Sequence, residues 1–181
     1  MTTTTTARLS LARPREGDVP SLYAIYSDPR VWTHLPDAQH TAVETTDAMV
    51  QRAMRNWEAN GLDEWTARSQ SDDAIIGWGG CRLVRGEFWN LGYRLDASTH
   101  GHGLATELSR AAIDAAKAKR PALPVVAMML AANPASERVA PKVGFSVRYD
   151  VPDPEADDRP CPIYSDAPLT DAQITTYLAP S

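Results

Sequence analysis

Residues 91–108 read LGYRLDASTHGHGLATEL. A strand-like run ends in a small, polar turn, two glycines flank a histidine, and a helical pattern begins at Leu104. A helix N-terminus offers unpaired amides and partial positive charge, and glycine lets an anion come close to that backbone. Gly101 and Gly103 are the right residue types for this, and Ala105 keeps the first turn slim. His100 and His102 add charge when protonated. On these residues alone two readings stand: a seat for a phosphate, or a tight strand-to-helix connection. Two familiar phosphate motifs do not fit. A P-loop needs Gly-Lys-Ser/Thr, which is absent, and the dinucleotide fingerprint needs a third glycine where Thr106 stands. That fingerprint also needs an acid about 20 residues further on, and none lies between Asp114 and Glu137.

The elements that must position this turn can be read from periodicity. Leu9 and Leu11 alternate with polar neighbours, as in a first strand. Asp18 is a candidate cap for a helix carrying Leu22, Ile25 and Tyr26, which stops near Asp28-Pro29. Residues 41–44, TAVE, have the capping-box pattern and open a helix with Met49, Ala53 and Trp57 on one face, ended by Gly61. EWTARS, AIIGWGGCRLV and FWNLGYRL then read as three antiparallel strands, with RGEF as the turn between the last two. Leu104, Leu108, Ala111, Ala112 and Ala115 form an apolar helical stripe suited to a sheet. LPVVAMMLAA reads as a buried strand, NPASERVAPKVGF as a short helix running into the strand FSVRYD. A proline-rich loop over residues 150–158 follows, then CPIYSD as a last strand and LTDAQITTYL as a last helix or tail. This order is a mixed α/β layout rather than a regular alternation of strands and helices.

Bulk properties narrow the function classes. The 181 residues suit one domain spanning 1–181, with the threonine run of residues 1–6 as a disordered arm. The formal net charge of −5 argues against a general nucleic-acid binder. The two cysteines, Cys81 and Cys161, have no metal-ligand or disulfide-framework spacing, so no metal is expected. No run suits a signal peptide or a membrane span, so the expected location is cytoplasmic, without a membrane partner.

The stretch GYRLDASTHGHGLATEL followed by NPASERVAPKVGF resembles the GNAT acyltransferases, and more narrowly their RimJ/RimL-like branch, which acetylates protein N-termini and other amines. The family's Gln/Arg-x-x-Gly-x-Gly/Ala motif is matched by His100, Gly101, His102, Gly103, Leu104 and Ala105, with His100 where Gln or Arg is usual. Asn133, Ser136, Lys142, Gly144 and Phe145 match the branch's Asn-x-x-Ser…Lys-x-Gly-Phe segment, and the element order fits from about Arg8 to Tyr164. The resemblance implies an α/β GNAT fold, with a mostly antiparallel, splayed sheet flanked by helices. It implies acetyl-CoA as co-substrate, its pyrophosphate held by amides of residues 100–105. Its pantetheine arm would pair with Leu91, Gly92, Tyr93, Arg94 and Leu95. Asn133 would lie by that arm or the acceptor, and Ser136 by the thiol.

The implied reaction is N-acetyltransfer to a primary amine, of a protein N-terminus or a small molecule, by direct attack in a ternary complex. Several family residues are missing. The strand resembling VVAMMLAA has no Glu, Ala140 stands where a general-acid Tyr is common, and Asn90 and Leu91 stand where the branch often has an acid before its GY segment. Catalysis then falls to Ser136 and Asn133, and a non-catalytic acyl-CoA-binding sensor or regulatory domain is the alternative. Ser136 and Asn133-Pro134 also make an ordinary helix start. Pro141 is expected to break its helix, and Glu107 to favour its helix start by charge. Trp32 and His34, and Tyr164 from the last strand, are acceptor-side candidates. Trp78, Trp89 and Tyr93 read as core, and the acids at 150, 153, 155, 157 and 158 as a solvated loop or a lure for a cationic acceptor. The expected partners are an amine acceptor and, through homodimer formation, a second copy of the chain.

Overall fold

The computed structural model describes residues 3–128, 133–153, 156–160 and 162–179. Cys161 and Glu155 lie outside the described residues, as does the end of the strand expected at LPVVAMMLAA. The chain opens with β1 (Thr4–Thr5), which pairs antiparallel with β2 (Leu9–Ala12). This differs from the disordered arm expected for residues 1–6. Thr4 and Thr5 extend the sheet edge, and the Thr6 hydroxyl donates to Glu107 at 2.6 Å.

Helix α1 (Val19–Tyr26) and the longer α2 (Val43–Asn60) follow. Neither uses the side-chain cap its sequence offered. Asp18 is 2 % exposed, and its carboxylate accepts instead from Thr66 and Arg68 of the next strand. Such a tertiary ion pair outweighs a cap of about 1 kcal/mol. Helix α2 begins one residue later than TAVE predicts, with Ala42 in the cap position, and ends as expected at Gly61, whose φ of 67° is left-handed.

Strands β3 (Trp65–Ser69), β4 (Ile75–Val84) and β5 (Phe88–Leu95) form the expected antiparallel meander. The β4–β5 turn places Arg85 and Gly86 at φ 47° and 77°, the primed hairpin geometry that suits strand twist. Helix α3 (Leu104–Lys119) leads into β6 (Val125–Met128). Next come α4 (Pro134–Glu137), a separate 3-10 turn at Ala140–Val143, and β7 (Val147–Tyr149). The helix is therefore interrupted before Pro141, as its missing N–H requires. The acidic segment expected to be a loop holds a small hairpin of β8 (Pro152–Asp153) and β9 (Ala156–Pro160). Strand β10 (Ile163–Ser165) inserts between β6 and β7, and α5 (Asp171–Leu178) closes the chain.

The eight-stranded sheet runs β1-β2-β3-β4-β5-β6-β10-β7, and only the β5–β6 pair is parallel. Helix α3 lays Leu108, Ala112 and Ala116 against one face, on Leu9, Leu11, Trp65, Cys81, Leu91 and Val125. Helices α1 and α2 cover the other face through Leu22, Ile25, Val50 and Ala53 around Trp78. Trp78 and Trp89 are core, as expected.

Candidate active site

The site begins where the sheet opens. Strands β5 and β6 are joined at Trp89↔Val125 and Asn90↔Val126, and no described residue of β6 pairs with β5 beyond them. From there β5 stays with β4 as far as Leu95↔Gly77, while Ala127 and Met128 stay with Tyr164 and Ile163 of β10. The two strands therefore part in a V. Backbone groups alternate sides along a strand. The Trp89 amide bonds to Pro124 on the β6 side and the Asp96 amide to Ile76 on the β4 side. The amides and carbonyls of Leu91, Tyr93 and Leu95 therefore face the opening. The Leu95 carbonyl is already taken by His100, whose Nε2 lies 3.0 Å away and must donate. Gly92 and Arg94 direct their backbone to β4 instead, and the Leu91 amide is taken by Val126 in the last β5–β6 pair, so the groups left facing the opening are the Leu91 carbonyl, both groups of Tyr93 and the Leu95 amide.

The Gly-His-Gly turn sits just past the end of β5. Gly101 and Gly103 have φ of 81° and 78°, a region costly for residues with a Cβ. Gly103 is the N-cap of α3, so the amides of Leu104 and Ala105 start the helix with no preceding turn to receive them. A Cβ on Gly101 would meet nothing within 4 Å, so the turn is open above its backbone. Both imidazoles hold the turn together, His100 on Leu95 and His102 with Nδ1 3.2 Å from the Thr99 carbonyl. A latch absent from the sequence reading fixes the turn from outside. The Arg8 guanidinium donates to the His102 carbonyl at 2.8 Å and pairs with Glu107 at 2.7 Å. Glu107 also accepts from the Arg8 amide and from Thr6, so it is a tie between chain segments and not only a favourable charge.

Across the opening, the Tyr93 hydroxyl donates to Ser136 Oγ at 3.2 Å, joining β5 to α4. Tyr93 was expected to serve through its backbone and otherwise as core. Its side chain instead makes a two-hydroxyl chain, and no sequence signal beyond the GY pair pointed to it. Burial pushes its phenol above the ordinary tyrosine value, so it stays protonated at neutral pH. Asn133 caps α4, its Oδ1 accepting from the Ser136 amide at 3.2 Å.

The acceptor-side candidates separate. Trp32 is 6 % exposed and packs in the core under the Arg94 guanidinium, 3.6 Å from its ring centre. His34 is half-buried with Nε2 3.2 Å from Arg94, so this nitrogen accepts. Burial, then Arg94 and His100, hold its pKa below the ordinary imidazole value. Tyr164 lies apart from both. Its hydroxyl donates to Glu137 at 3.0 Å and accepts from Arg148 at 2.9 Å, in a groove with Pro134 and Phe145. These bonds bind β10 to α4 and leave it no free donor.

A family model described as "Acetyltransferase (GNAT) domain" matches residues 8–146. The chain belongs to the GNAT acetyltransferases. Solved structures share its fold at low identity. A GnaT-family acetyltransferase from Bordetella pertussis is 17% identical with a TM-score of 0.77, over 92% of this chain and 100% of that one. RimL, a ribosomal L7/L12 alpha-N-protein acetyltransferase solved with coenzyme A, is 21% identical with a TM-score of 0.74, over 90% and 95%. The microcin C7 self-immunity acetyltransferase MccE, solved with acetyl-CoA and AMP, is 15% identical with a TM-score of 0.72, over 88% and 92%. No curated protein matches by sequence. No helix among the described residues is long and apolar enough to cross a membrane.

Proposed function

We propose that this enzyme transfers an acetyl group from acetyl-CoA to a primary amine by direct attack in a ternary complex. The carrying observation is the opening between β5 and β6, with the Gly-His-Gly helix start at one end and the Tyr93–Ser136 pair across it. These residues fit acetyl-CoA. The open turn with its helix-start amides suits a pyrophosphate, and the free groups of Leu91 and Tyr93 suit an amide-bearing arm added like a strand. The relatives solved with coenzyme A or acetyl-CoA support the same reading. When bound, acetyl-CoA supplies an activated acyl carbon and a thiolate leaving group.

The chain's own residues do the rest. The free Tyr93 amide is placed to donate to a carbonyl oxygen in the opening. Because Tyr93 donates to Ser136, the Ser136 hydrogen is free to go to the departing sulfur; Tyr93 refills Ser136, and the pair regains a proton from the one the amine nitrogen loses on acylation. Asn133 positions Ser136 by capping α4. Holding both reactants in one cleft supplies much of the acceleration. The acceptor is an amine of a small molecule or of a peptide N-terminus, as in the RimL relatives that act on ribosomal L7/L12.

The test is acetyl-CoA binding by calorimetry and thiol release over a panel of amines and peptides. Gly103→Glu puts a charge and a side chain at the helix start. We expect acetyl-CoA affinity to fall at least about 10-fold, the equivalent of 1.4 kcal/mol, with the fold kept. Unchanged affinity removes the turn from the site. If acetyl-CoA binds and no panel amine releases thiol, the transferase reading falls and the sensor reading replaces it.

A further inference from the structure

The missing acid of the strands is supplied from elsewhere in the fold. Glu64 precedes β3, beside β4, and its carbonyl is fixed by Trp57 Nε1 at 3.0 Å. Its side chain is 14% exposed, and Oε2 is held by Arg52 of α2 at 2.8 Å. The other oxygen, Oε1, has no hydrogen-bond partner among the described residues. It points at Gly92: a Cβ built there would lie 3.5 Å from Oε1 and meet nothing else within 4 Å. Gly92 pairs with Gly80 across β4 and β5, and Gly80 lies against the Glu64 backbone. This bare glycine pair gives the carboxylate a lane across the sheet, ending two residues past the last β5–β6 pair. Leu91 and Tyr93 face α3, so the Cα of Gly92 and the Glu64 carboxylate above it lie on the opposite face of the sheet, the face that α1 and α2 cover.

Resting on the transferase reading above, we propose that Glu64 Oε1 is the seat and proton acceptor of the substrate ammonium group. The seat is a carboxylate oxygen held in place by Arg52 yet unpartnered, over a backbone that leaves room for an amine nitrogen beside the strand carrying the acyl-arm groups. The steps balance. The ammonium gives one proton to Glu64, and the nitrogen–carbon bond forms as the carbon–sulfur bond breaks. The thiolate takes a proton from Ser136, the second nitrogen proton restores the one lost from the Ser136–Tyr93 pair, and Glu64 returns its proton to water. The net products are the acetylated amine, free thiol and one proton. The charged and titratable groups on this side of the seat are Arg52 from α2, Tyr26 from α1, Arg94 from β5 and the adjacent Asp63, while the buried Cys81 thiol of β4 lies on the α3 face.

The experiment measures thiol release from acetyl-CoA with n-butylamine, spermidine and a serine-initiated tetrapeptide, for the wild-type chain, Glu64→Gln and Glu64→Asp. Acetyl-CoA affinity and melting temperature are measured alongside. For the best wild-type amine, Glu64→Gln is expected to lose about 100-fold or more in kcat/KM at neutral pH, the scale of a general base. The loss should shrink at high pH, where the amine is neutral without help, while acetyl-CoA affinity stays within about 2-fold. Glu64→Asp keeps the charge but withdraws it by one methylene, and should fall between the two. It also stands in if Glu64→Gln does not fold. Turnover of the variants equal to wild type sinks the role of Glu64 and leaves the transferase reading intact. A wild-type chain that binds acetyl-CoA and releases no thiol overturns both together.

Discussion

At the scale of single residues, the proposed thiol side of the site is built from hydroxyls, Tyr93 and Ser136, with no charged group between them. Ser136 alone is a weak acid, and in the proposed transfer the donated bond from Tyr93 frees its hydrogen for the sulfur. Tyr93→Phe keeps the ring packed and deletes that bond. Turnover should fall about 10-fold or more while acetyl-CoA affinity holds, because the effect lies in proton delivery. Equal turnover in single-turnover kinetics would remove Tyr93 from the chemistry. A short sequence motif singles out Ser136 and Asn133 as candidates, whereas nothing local singles out the Tyr93 hydroxyl, since a tyrosine in a half-buried strand reads as core. Its partner lies 43 residues away, so only the fold brings the two oxygens together.

At the scale of elements, periodicity was a good guide and end signals were not. The stripe from Leu104 to Ala115 gave α3, and the meander of β3, β4 and β5 followed from alternation. Asp18 failed as a cap because Arg68, 15% exposed at its side chain, sits 2.7 Å from its carboxylate. That pair ties the start of α1 to β3, with Thr66 completing it. Removing one partner leaves a buried charge unmatched, so Asp18→Ala should cost about 3–5 kcal/mol in urea unfolding. A loss under about 1 kcal/mol, the scale of a surface pair, would show that the pair does not hold α1 to the sheet. The threonine arm was misjudged for a related reason. Low hydrophobicity predicts fraying, but the Glu107 carboxylate, in the first turn of α3, holds Thr6 and Arg8.

At the scale of the whole molecule, one buried acid sets a pH dependence. Asp63 is fully buried, its Oδ1 has no partner, and burial followed by the charge of Glu64 pushes its carboxyl up to about 6. The unfolded carboxyl titrates near 3.9. Between these values the native state holds more protons than the unfolded one, so this contribution to stability falls as pH rises from about 4 to about 6. Asp63→Asn keeps an acceptor for Asn56 and removes the titration. The variant should gain on the wild type across that window and stay ahead above it, as read from urea unfolding at a series of pH values. Parallel curves would show that Asp63 does not titrate in that range.

The sequence by itself determined the order and kind of most elements, the glycine turn, and the two motifs that share their spacing with the family. Local spacing suffices for these, because helical and strand periodicity and a helix start are properties of short segments. The tertiary structure decided the rest. It parted β5 from β6, spent both histidines on holding the turn, buried Trp32, tied off Tyr164, and set Tyr93 beside Ser136 and Glu64 over Gly92. Apart from the two histidine bonds, which are local, these join residues distant in sequence, and their proximity arises from strand pairing and helix packing, which no local pattern encodes.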